Sequence, residues 1–365
     1  MTAAPVVALV ATYNEADVIG WVVRDLVAQG VAVYVLDDHS TDGTVEALAP
    51  LVGHGVLAVE RLPPSAPPTF SLTRIMRRKE ALARELEAAW FINADADEFR
   101  ESPWRDCDLA GAIARVDVLG YNAVDFELLN FWPTHDDFRP GDDPRQAFAL
   151  YQRGDDWDRV QIRCWKNLGV PVDLATSAGH DVAFPGRRVF PLRFLLRHYP
   201  IRGQAHGERK VLRERQPRFD PAERGRGWHV QYEALGAGAR FLRDPATLTR
   251  YDPDAVRLDL ALRHRGVQEL ERRLADLEHQ LAARAAEAAD LRRELARRDA
   301  TLAETAADRE ARGAEIGRLR SALDVAREEA ERARAALAET RGRLEAVYTS
   351  RSWRWTAPLR RVAGS

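Results

Sequence analysis

The 365-residue sequence lacks several features that mark other classes of protein. Its two cysteines, Cys107 and Cys164, are too few for a disulfide framework and fit a reducing compartment. It has no apolar run near the roughly 20 residues of a membrane-spanning helix, and its N-terminus has no signal-peptide pattern. The formal net charge of −2 argues against a nucleic-acid partner. These absences predict a cytoplasmic protein that does not bind nucleic acid.

Lysine is scarce as well, since Lys79, Lys166 and Lys210 stand in a chain rich in arginine. A genomic bias toward arginine explains this scarcity without reference to function. Against that background, each remaining lysine is a candidate for a specific contact.

The chain divides into two unlike halves near residue 255. Residues 1–255 are rich in aromatic residues, glycine and proline, whereas Ala, Arg, Glu and Leu dominate the stretch that follows. Taking Val267 as position a, the heptad register continues to Leu344 over about eleven heptads. This pattern predicts a coiled coil over 256–348, roughly 120 Å long, through which the chain forms a homo-oligomer. A lone solvated helix is the alternative.

Strands and helices alternate in the first half. Apolar runs predict four buried strands, at 6–11, 31–38, 55–60 and 90–93. Helical spacing is found between them, for example at 16–30 and 73–89. Such alternation predicts an α/β fold with a mostly parallel sheet and helices on both faces. In sheets of this kind, ligands bind beyond the carboxyl ends of the strands.

Polar residues cluster at three of these strand ends. They are Thr12, Asn14 and Glu15 after the first strand, Asp37 and Asp38 after the second, and Asp95, Asp97 and Glu98 after the fourth. Strand alternation places Asp95 and Asp97 on one side, where their repulsion calls for a cation between them. Mg²⁺ and Mn²⁺ prefer carboxylate oxygens, with substrate phosphates completing the shell. The crevice is therefore expected to bind a metal-bridged nucleotide diphosphate, and a solvated turn is the alternative.

Three stretches resemble the nucleotide-binding half of family 2 glycosyltransferases with the GT-A fold: VALVATYNEADVI, VYVLDDHSTDGT and FINADADEF. The resemblance covers roughly residues 5–250, and the motif Asp-x-Asp-Glu-Phe is typical of a bacterial subgroup. It implies a GT-A (Rossmann-like) domain over 1–255, ahead of the coiled coil. It also implies metal-dependent, inverting transfer of a sugar from a nucleotide-sugar donor to a glycan, lipid-linked or protein acceptor, in bacterial surface glycan assembly.

The resemblance also implies roles for individual residues. Asp95 and Asp97 would hold Mg²⁺ or Mn²⁺ and the diphosphate, with Asn93–Ala–Asp95 as a second register for the motif. His198 would complete the metal site, with His206 as the alternative. Thr12, Asn14, Glu15, Asp37 and Asp38 would line the nucleoside pocket. Arg209 and Lys210 are expected to contact the nucleotide sugar because the departing diphosphate needs positive charge beyond the metal, and Lys79 is a further candidate for such a contact.

Inverting transfer needs a general base that accepts the proton of the acceptor hydroxyl. Asp181, in the glycine-flanked loop GHDVAFPGRR, is the predicted base. Asp136, Asp137 and Glu98 are the alternatives. Trp132 and Trp157 are candidates for stacking on a sugar ring.

Two other classes of function compete with this interpretation. A non-catalytic coiled-coil scaffold would have lost the acidic ligands or the nucleotide loop, and this chain keeps both. A nucleotidyltransferase would carry a glycine-rich loop with Arg or Lys after the first strand, where this chain has ATYNEAD. Both features favour a glycosyltransferase.

The C-terminal segment 349–365 forms a third region, with Trp353 and Trp355 among four arginines. Tryptophan favours the headgroup region of a bilayer, and each arginine near an anionic leaflet adds about 1 kcal/mol. We predict that this tail contacts the inner membrane peripherally or binds a membrane partner. A cap that folds back on the coil is the alternative.

Overall fold

The computed structural model describes residues 4–64, 69–155, 158–229, 235–263, 265–304 and 309–349. The chain separates into two compact units, 1–257 and 258–365. Trp157 and residues 350–365 lie outside the described residues, so the predictions for Trp157 and for the tail stay predictions.

A ten-stranded sheet forms the centre of the first unit. Its strands are β1 (Ala4–Thr12), β2 (Ala32–Asp37), β3 (Val56–Arg61), β4 (Ala88–Asp95), β5 (Glu98–Glu101), β6 (Ala123–Phe131), β7 (Leu150–Arg153), β8 (Ile162–Lys166), β9 (Val189–His198) and β10 (Thr249–Arg250). The order is β10-β7-β6-β8-β4-β1-β2-β3, and β9 pairs with β5 and β6. Strands β3, β2, β1 and β4 pair in parallel, as do β6 and β9. The predicted α/β fold with a mostly parallel central sheet is confirmed.

Helices surround this sheet. They are α1 (Ile19–Ala28), α2 (Thr44–Leu48), α3 (Leu72–Glu85), α4 (Leu109–Val118), α5 (Pro144–Ala147), α6 (Gln204–Gly207) and α7 (Pro221–Arg224), with a π-helix at Glu208–Arg215 after α6. The boundary between the two units falls within α8 (Pro253–Leu262). Helix α3 shows why these segments form: Ser71 caps its N-terminus, and apolar residues at helical spacing bury one face. Ile75, Met76 and Leu82 are each at most 3% exposed on that face.

The parallel register brings the predicted motifs to one edge of the sheet. Thr12 at the end of β1 pairs with Asp37 of β2, and Ala11 pairs with Asp95 of β4. Buried side chains such as Leu9 and Phe91, both 0% exposed, hold these strands together. Each such side chain contributes about 1.5–3 kcal/mol. The three polar strand ends therefore sit on a rigid, well-packed edge.

The second unit contains two long helices, α9 (Arg265–Glu304) and α10 (Arg309–Thr349). Ion pairs join Arg284 to Glu329 at 3.0 Å and Arg341 to Glu278 at 2.9 Å, so the two helices pack antiparallel within one chain. The predicted length of roughly 120 Å is therefore wrong, because each of the two antiparallel helices spans only about 60 Å. Homo-oligomerisation stays a prediction. Within the described residues, no helix combines the length and apolar character needed to cross a membrane.

Candidate functional site

A cavity of about 450 Å³ opens at the edge of the sheet where β1, β2 and β4 end. Its wall contains six of the residues predicted for substrate or metal binding: Thr12, Glu15, Asp38, Asp95, Asp97 and His198. The wall also contains Tyr13, Phe70, Trp132, Asp158, Arg163, His180, Arg218 and His229. A cavity of this size suits a small-molecule ligand.

The loop after β1 has an inner and an outer part. Thr12 lines the cavity, and its buried hydroxyl has no hydrogen-bond partner among the described residues. Asn14 instead holds the loop after β2, because its Oδ1 accepts from Thr41 N (2.8 Å) and its Nδ2 donates to Glu214 (2.9 Å). Asn14 does not line the cavity, so its side chain shapes the loop.

The two aspartates after β2 have different surroundings. Asp37 is fully buried, accepts from Ser40 N and Arg61, and does not line the cavity. Asp38 lines the cavity, with one carboxylate oxygen bonded to Arg74 and the other to Arg218 at 2.8 Å. Burial raises the pKa of Asp38, against the lowering effect of the two arginines. Of the pair, Asp38 alone is placed to meet a ligand.

Two cationic side chains contact the acidic motif, where the sequence predicts a single cation between Asp95 and Asp97. Strand β4 ends at Asp95, whose half-exposed carboxylate accepts from Arg163 at 3.2 Å. Asp97 follows in the turn and accepts from Lys210 Nζ at 2.7 Å. Burial alone would raise the pKa of Asp97, but Lys210 and His198 hold it well below its usual value. Each carboxylate of the pair is therefore neutralised separately.

His198 lies beside this motif. Its Nε2 is 3.5 Å from Asp97 Oδ1, and its Nδ1 is 2.7 Å from Asn130 Oδ1. The tautomer that donates Nδ1–H to the Asn130 carbonyl oxygen would leave Nε2 facing the acidic motif. A second partner that fixes the outer nitrogen is the usual arrangement for a metal-ligating histidine.

The residues of the acidic motif fit a hard divalent cation in their chemistry. Two carboxylates and one imidazole suit Mg²⁺ or Mn²⁺, whose remaining positions substrate phosphates fill. Among the described residues, Asp95, Asp97 and His198 do not bring their ligand atoms within 4.8 Å of one another. Their ligand atoms are therefore more widely separated than in a closed metal site, which is the arrangement expected where substrate phosphates supply further ligands.

A tighter group of potential metal ligands includes Glu15 of the cavity wall. Glu15, Asp17 and His206 place their ligand atoms within 4.8 Å of one another. The Arg202 guanidinium already fills this group, donating to Asp17 at 2.7 and 2.8 Å and pairing with Glu15. His206 Nδ1 accepts from Arg202 N, so His206 does not complete the site at Asp97. An arginine in place makes this group a poor metal site.

The structure does not bring the predicted lysines and Arg209 into the cavity wall. Lys79 is fully buried under β4 and donates to Asn93 Oδ1 (2.6 Å) and Ala94 O (2.8 Å), and burial lowers its pKa to about 8. Lys210 lies buried between Glu15 and Asp97. The Arg209 side chain is 40% exposed near Glu214. Each of these three cationic side chains therefore lies next to a carboxylate or an amide oxygen of the protein, where the sequence predicts a contact with the substrate.

Asp181 also lies outside the cavity wall. Its carboxylate pairs with Arg187, and its backbone bonds with Ser177 Oγ at 3.0 Å. The loop turns at Gly179 (φ 84°), where a Cβ would come within 2.6 Å of Asn93, and this turn points His180 at the cavity instead. The sequence alone could not tell which residue of the loop faces inward.

The other candidates for the general base differ in whether they line the cavity and in what they contact. Glu98 lines the cavity but is held by Arg100 (2.7 Å) and Arg163 (2.8 Å), which against burial lower its pKa to about 2. Asp136 and Asp137 are exposed and do not line the cavity. Asp158 does line it, and burial raises its pKa.

Several arginines line the cavity that the sequence analysis does not predict as site residues. Arg163 bridges Asp95 and Glu98 from β8, and Arg218 lies 3.9 Å over the Tyr13 ring. Arg240 and Arg243 also line the wall, the latter over Trp132 at 4.5 Å. Their pattern in the chain is that of ordinary surface arginines, so only the tertiary structure reveals them.

A comparison with known families covers the first two of the three motifs. Residues 7–61, from β1 to β3, match the family described as Glycosyl transferase family 2. No curated protein matches the chain. The match supports a family 2 glycosyltransferase domain with glycosyl transfer as its general activity. The α/β architecture is consistent with the GT-A fold.

Proposed function

We propose that the first unit transfers a sugar from a nucleotide-sugar donor to an acceptor hydroxyl. The observation that carries this proposal is the position of Asp38, Asp95 and Asp97 on one cavity wall. That wall stands at the carboxyl edge of a sheet whose first three strands match the family 2 model. Crevices of this kind bind nucleotides in parallel α/β sheets.

The cavity has two ends with different chemistry. Tyr13, Asp38 and Arg218 form a nucleoside end with an aromatic ring and paired charges. Asp95 and His198 lie at the other end, on the opposite side of β1 from Asp38, and there we place the diphosphate and the sugar. Mg²⁺ or Mn²⁺ held by Asp95, Asp97 and His198 would neutralise charge that develops on the departing diphosphate. Arg163, beside Asp95, adds a fixed positive charge at the same end.

We assign the proton-accepting role to Asp158 in place of Asp181. Among the described residues no arginine or lysine pairs with the Asp158 carboxylate, and burial raises its pKa, which suits a proton acceptor. The acceptor oxygen bonds to the anomeric carbon as its proton moves to Asp158. The bond from that carbon to the diphosphate oxygen breaks with inversion.

The biological setting follows from the same proposal. The acceptor is a hydroxyl of a glycan, a lipid-linked sugar or a protein, in bacterial surface glycan assembly. The helices of the second unit join copies of the chain, and the tail places the enzyme at the inner membrane. The enzyme acts on the cytoplasmic side, where nucleotide sugars are made.

Thermal stabilisation by a panel of nucleotide sugars tests the proposed function. We expect one class of donor to raise the Tm of the wild type when Mn²⁺ or Mg²⁺ is present, because ligand binding favours the folded state. Asp95→Asn, a change at a half-exposed carboxylate, should keep the wild-type Tm without ligand and lose most of the donor-induced shift. A wild type that no donor stabilises with either metal would contradict the proposal.

A further inference from the structure

A buried carboxylate outside the predicted motifs joins two distant parts of the first unit. Glu223, which lies in α7 within the chain segment 216–229, is 0% exposed. Burial alone would raise its pKa, but hydrogen bonds from His229 and Thr73 lower it to about 2. The carboxylate is therefore ionised at neutral pH and needs all its hydrogen-bond donors.

Those donors come from the N-terminus of α3 and from His229. Glu223 accepts from Ser71 Oγ (2.9 Å), Thr73 N (2.7 Å) and Leu72 N (3.1 Å). Its remaining partner is His229 Nε2 at 3.1 Å. Negative charge at a helix N-terminus is favourable, and these bonds satisfy amides that the helix leaves unpaired. Glu223 thus fastens the 216–229 segment to α3.

Backbone and ring contacts extend the same attachment. Phe70 N donates to Arg218 O at 2.6 Å, and Asp220 N donates to Phe70 O at 3.2 Å. The His229 ring stacks on Phe219 with centroids 4.3 Å apart and an interplanar angle of 5°. His229 has φ 68°, a left-handed backbone that is uncommon outside glycine. Strained backbone of this kind persists where surrounding contacts hold it in place.

The fastened segment supplies one wall of the nucleoside end. Arg218 bonds Asp38 and covers the Tyr13 ring, and His229 lines the cavity beside Phe70. None of these contacts involves the acidic motif at the other end. A substitution at Glu223 is therefore expected to disturb the nucleoside end of the cavity and to leave the acidic motif unchanged.

We propose that Glu223 is a positioning residue for donor recognition, which fixes Arg218 and His229 against the nucleoside through the 216–229 segment. This inference rests on the proposed function. It predicts that loss of the Glu223 charge weakens binding of the nucleoside part of the donor and spares the diphosphate part.

Calorimetric titration with nucleoside diphosphates and with inorganic pyrophosphate, both with Mn²⁺, separates the two parts. We expect Glu223→Gln to raise the Kd of the nucleoside diphosphate about tenfold and to leave the Kd of pyrophosphate unchanged. His229→Asn, which tolerates a left-handed backbone and leaves the α3 contacts intact, should have the same effect. The control is Asp143→Asn, a capping carboxylate bonded to Arg145 away from the cavity wall, which should change neither Kd.

The outcomes distinguish this inference from the proposed function. A wild type that binds no nucleoside diphosphate overturns the proposed function and this inference with it. Wild-type binding with an unchanged nucleoside diphosphate Kd in both Glu223→Gln and His229→Asn overturns this inference alone. Equal weakening of nucleoside diphosphate and pyrophosphate would show a general loss of structure and would also overturn it.

Discussion

Replacing Lys210 with methionine tests whether this lysine serves the fold or the substrate. The sequence assigns Lys210 to donor binding, whereas the structure buries its ammonium between Asp97 and Glu15. Both carboxylate side chains are only 5% exposed. Methionine keeps the length of the side chain and removes the charge, so both carboxylates lose a shared cation.

The expected cost is large because a buried charge is left without its partner. Removing one member of a buried ion pair costs about 3–5 kcal/mol. Without Lys210, burial dominates at Asp97 and raises its pKa from the low value of the wild type. In the wild type, the depressed pKa of Asp97 contributes stability that is present above about pH 4 and lost at lower pH. In Lys210→Met this contribution is missing and the raised pKa of Asp97 destabilises the folded state at neutral pH, so the difference from the wild type is largest at pH 7 and shrinks as the pH falls through that raised pKa.

Guanidinium unfolding followed by near-ultraviolet circular dichroism at pH 7 and at pH 4 measures this difference. Lys166→Met is the matched control, because Lys166 pairs with Asp117 where both side chains are about one-third exposed. Such a pair contributes about 0–1 kcal/mol. A Lys210→Met protein as stable as Lys166→Met, with weakened donor binding, would refute the structural role and restore Lys210 as a donor ligand.

Three further predictions concern the base, acid stability and the tail. Asp158→Asn should lower kcat by about 10²–10⁴-fold with the nucleotide Kd unchanged, and an unchanged kcat would exclude Asp158 as the base. Glu223, with its pKa lowered from 4.5 to about 2, contributes stability that is complete above about pH 4.5 and lost toward pH 2. The unfolding midpoint of the wild type should therefore fall over this range more steeply than that of Glu223→Gln, and parallel pH curves would contradict this. Removal of residues 349–365 should abolish co-sedimentation with anionic liposomes, whereas equal pelleting would exclude a lipid contact.

The strand ends could be predicted because their signals are local. Apolar runs of strand length followed by carboxylates place Asp38 and Asp95 at strand ends whatever the rest of the chain does. The parallel pairing of β1 with β2 and β4 then brings these ends together. His198 was predicted from resemblance and lies beside Asp97 at 3.5 Å.

The partners of buried charges could not be predicted because they are distant in the chain. Arg218 reaches Asp38 across 180 residues, and Glu223 reaches Thr73 across 150. Lys79 lies on a helix whose sequence does not show that its ammonium meets Asn93 rather than a substrate. Charge and spacing identify such residues as polar, and only the packing decides whether they face a ligand or another side chain.

The heptad pattern shows the same limit in the second unit. A repeat that begins at Val267 predicts a helix with an apolar seam, and α9 and α10 are the helices that carry the repeat. The repeat does not determine which helix packs against this seam. In the structure α10 packs on α9 of the same chain, which the repeat alone does not predict.

Release of nucleoside diphosphate from nucleotide sugars tests the central claim most directly. Wild type and Asp95→Asn are incubated with each donor, with and without Mn²⁺, and the released diphosphate is quantified by chromatography, with water as the acceptor where none is supplied. We predict metal-dependent release from one class of donor by the wild type and little release by Asp95→Asn. Equal release by both proteins, or none from any donor, would contradict the account.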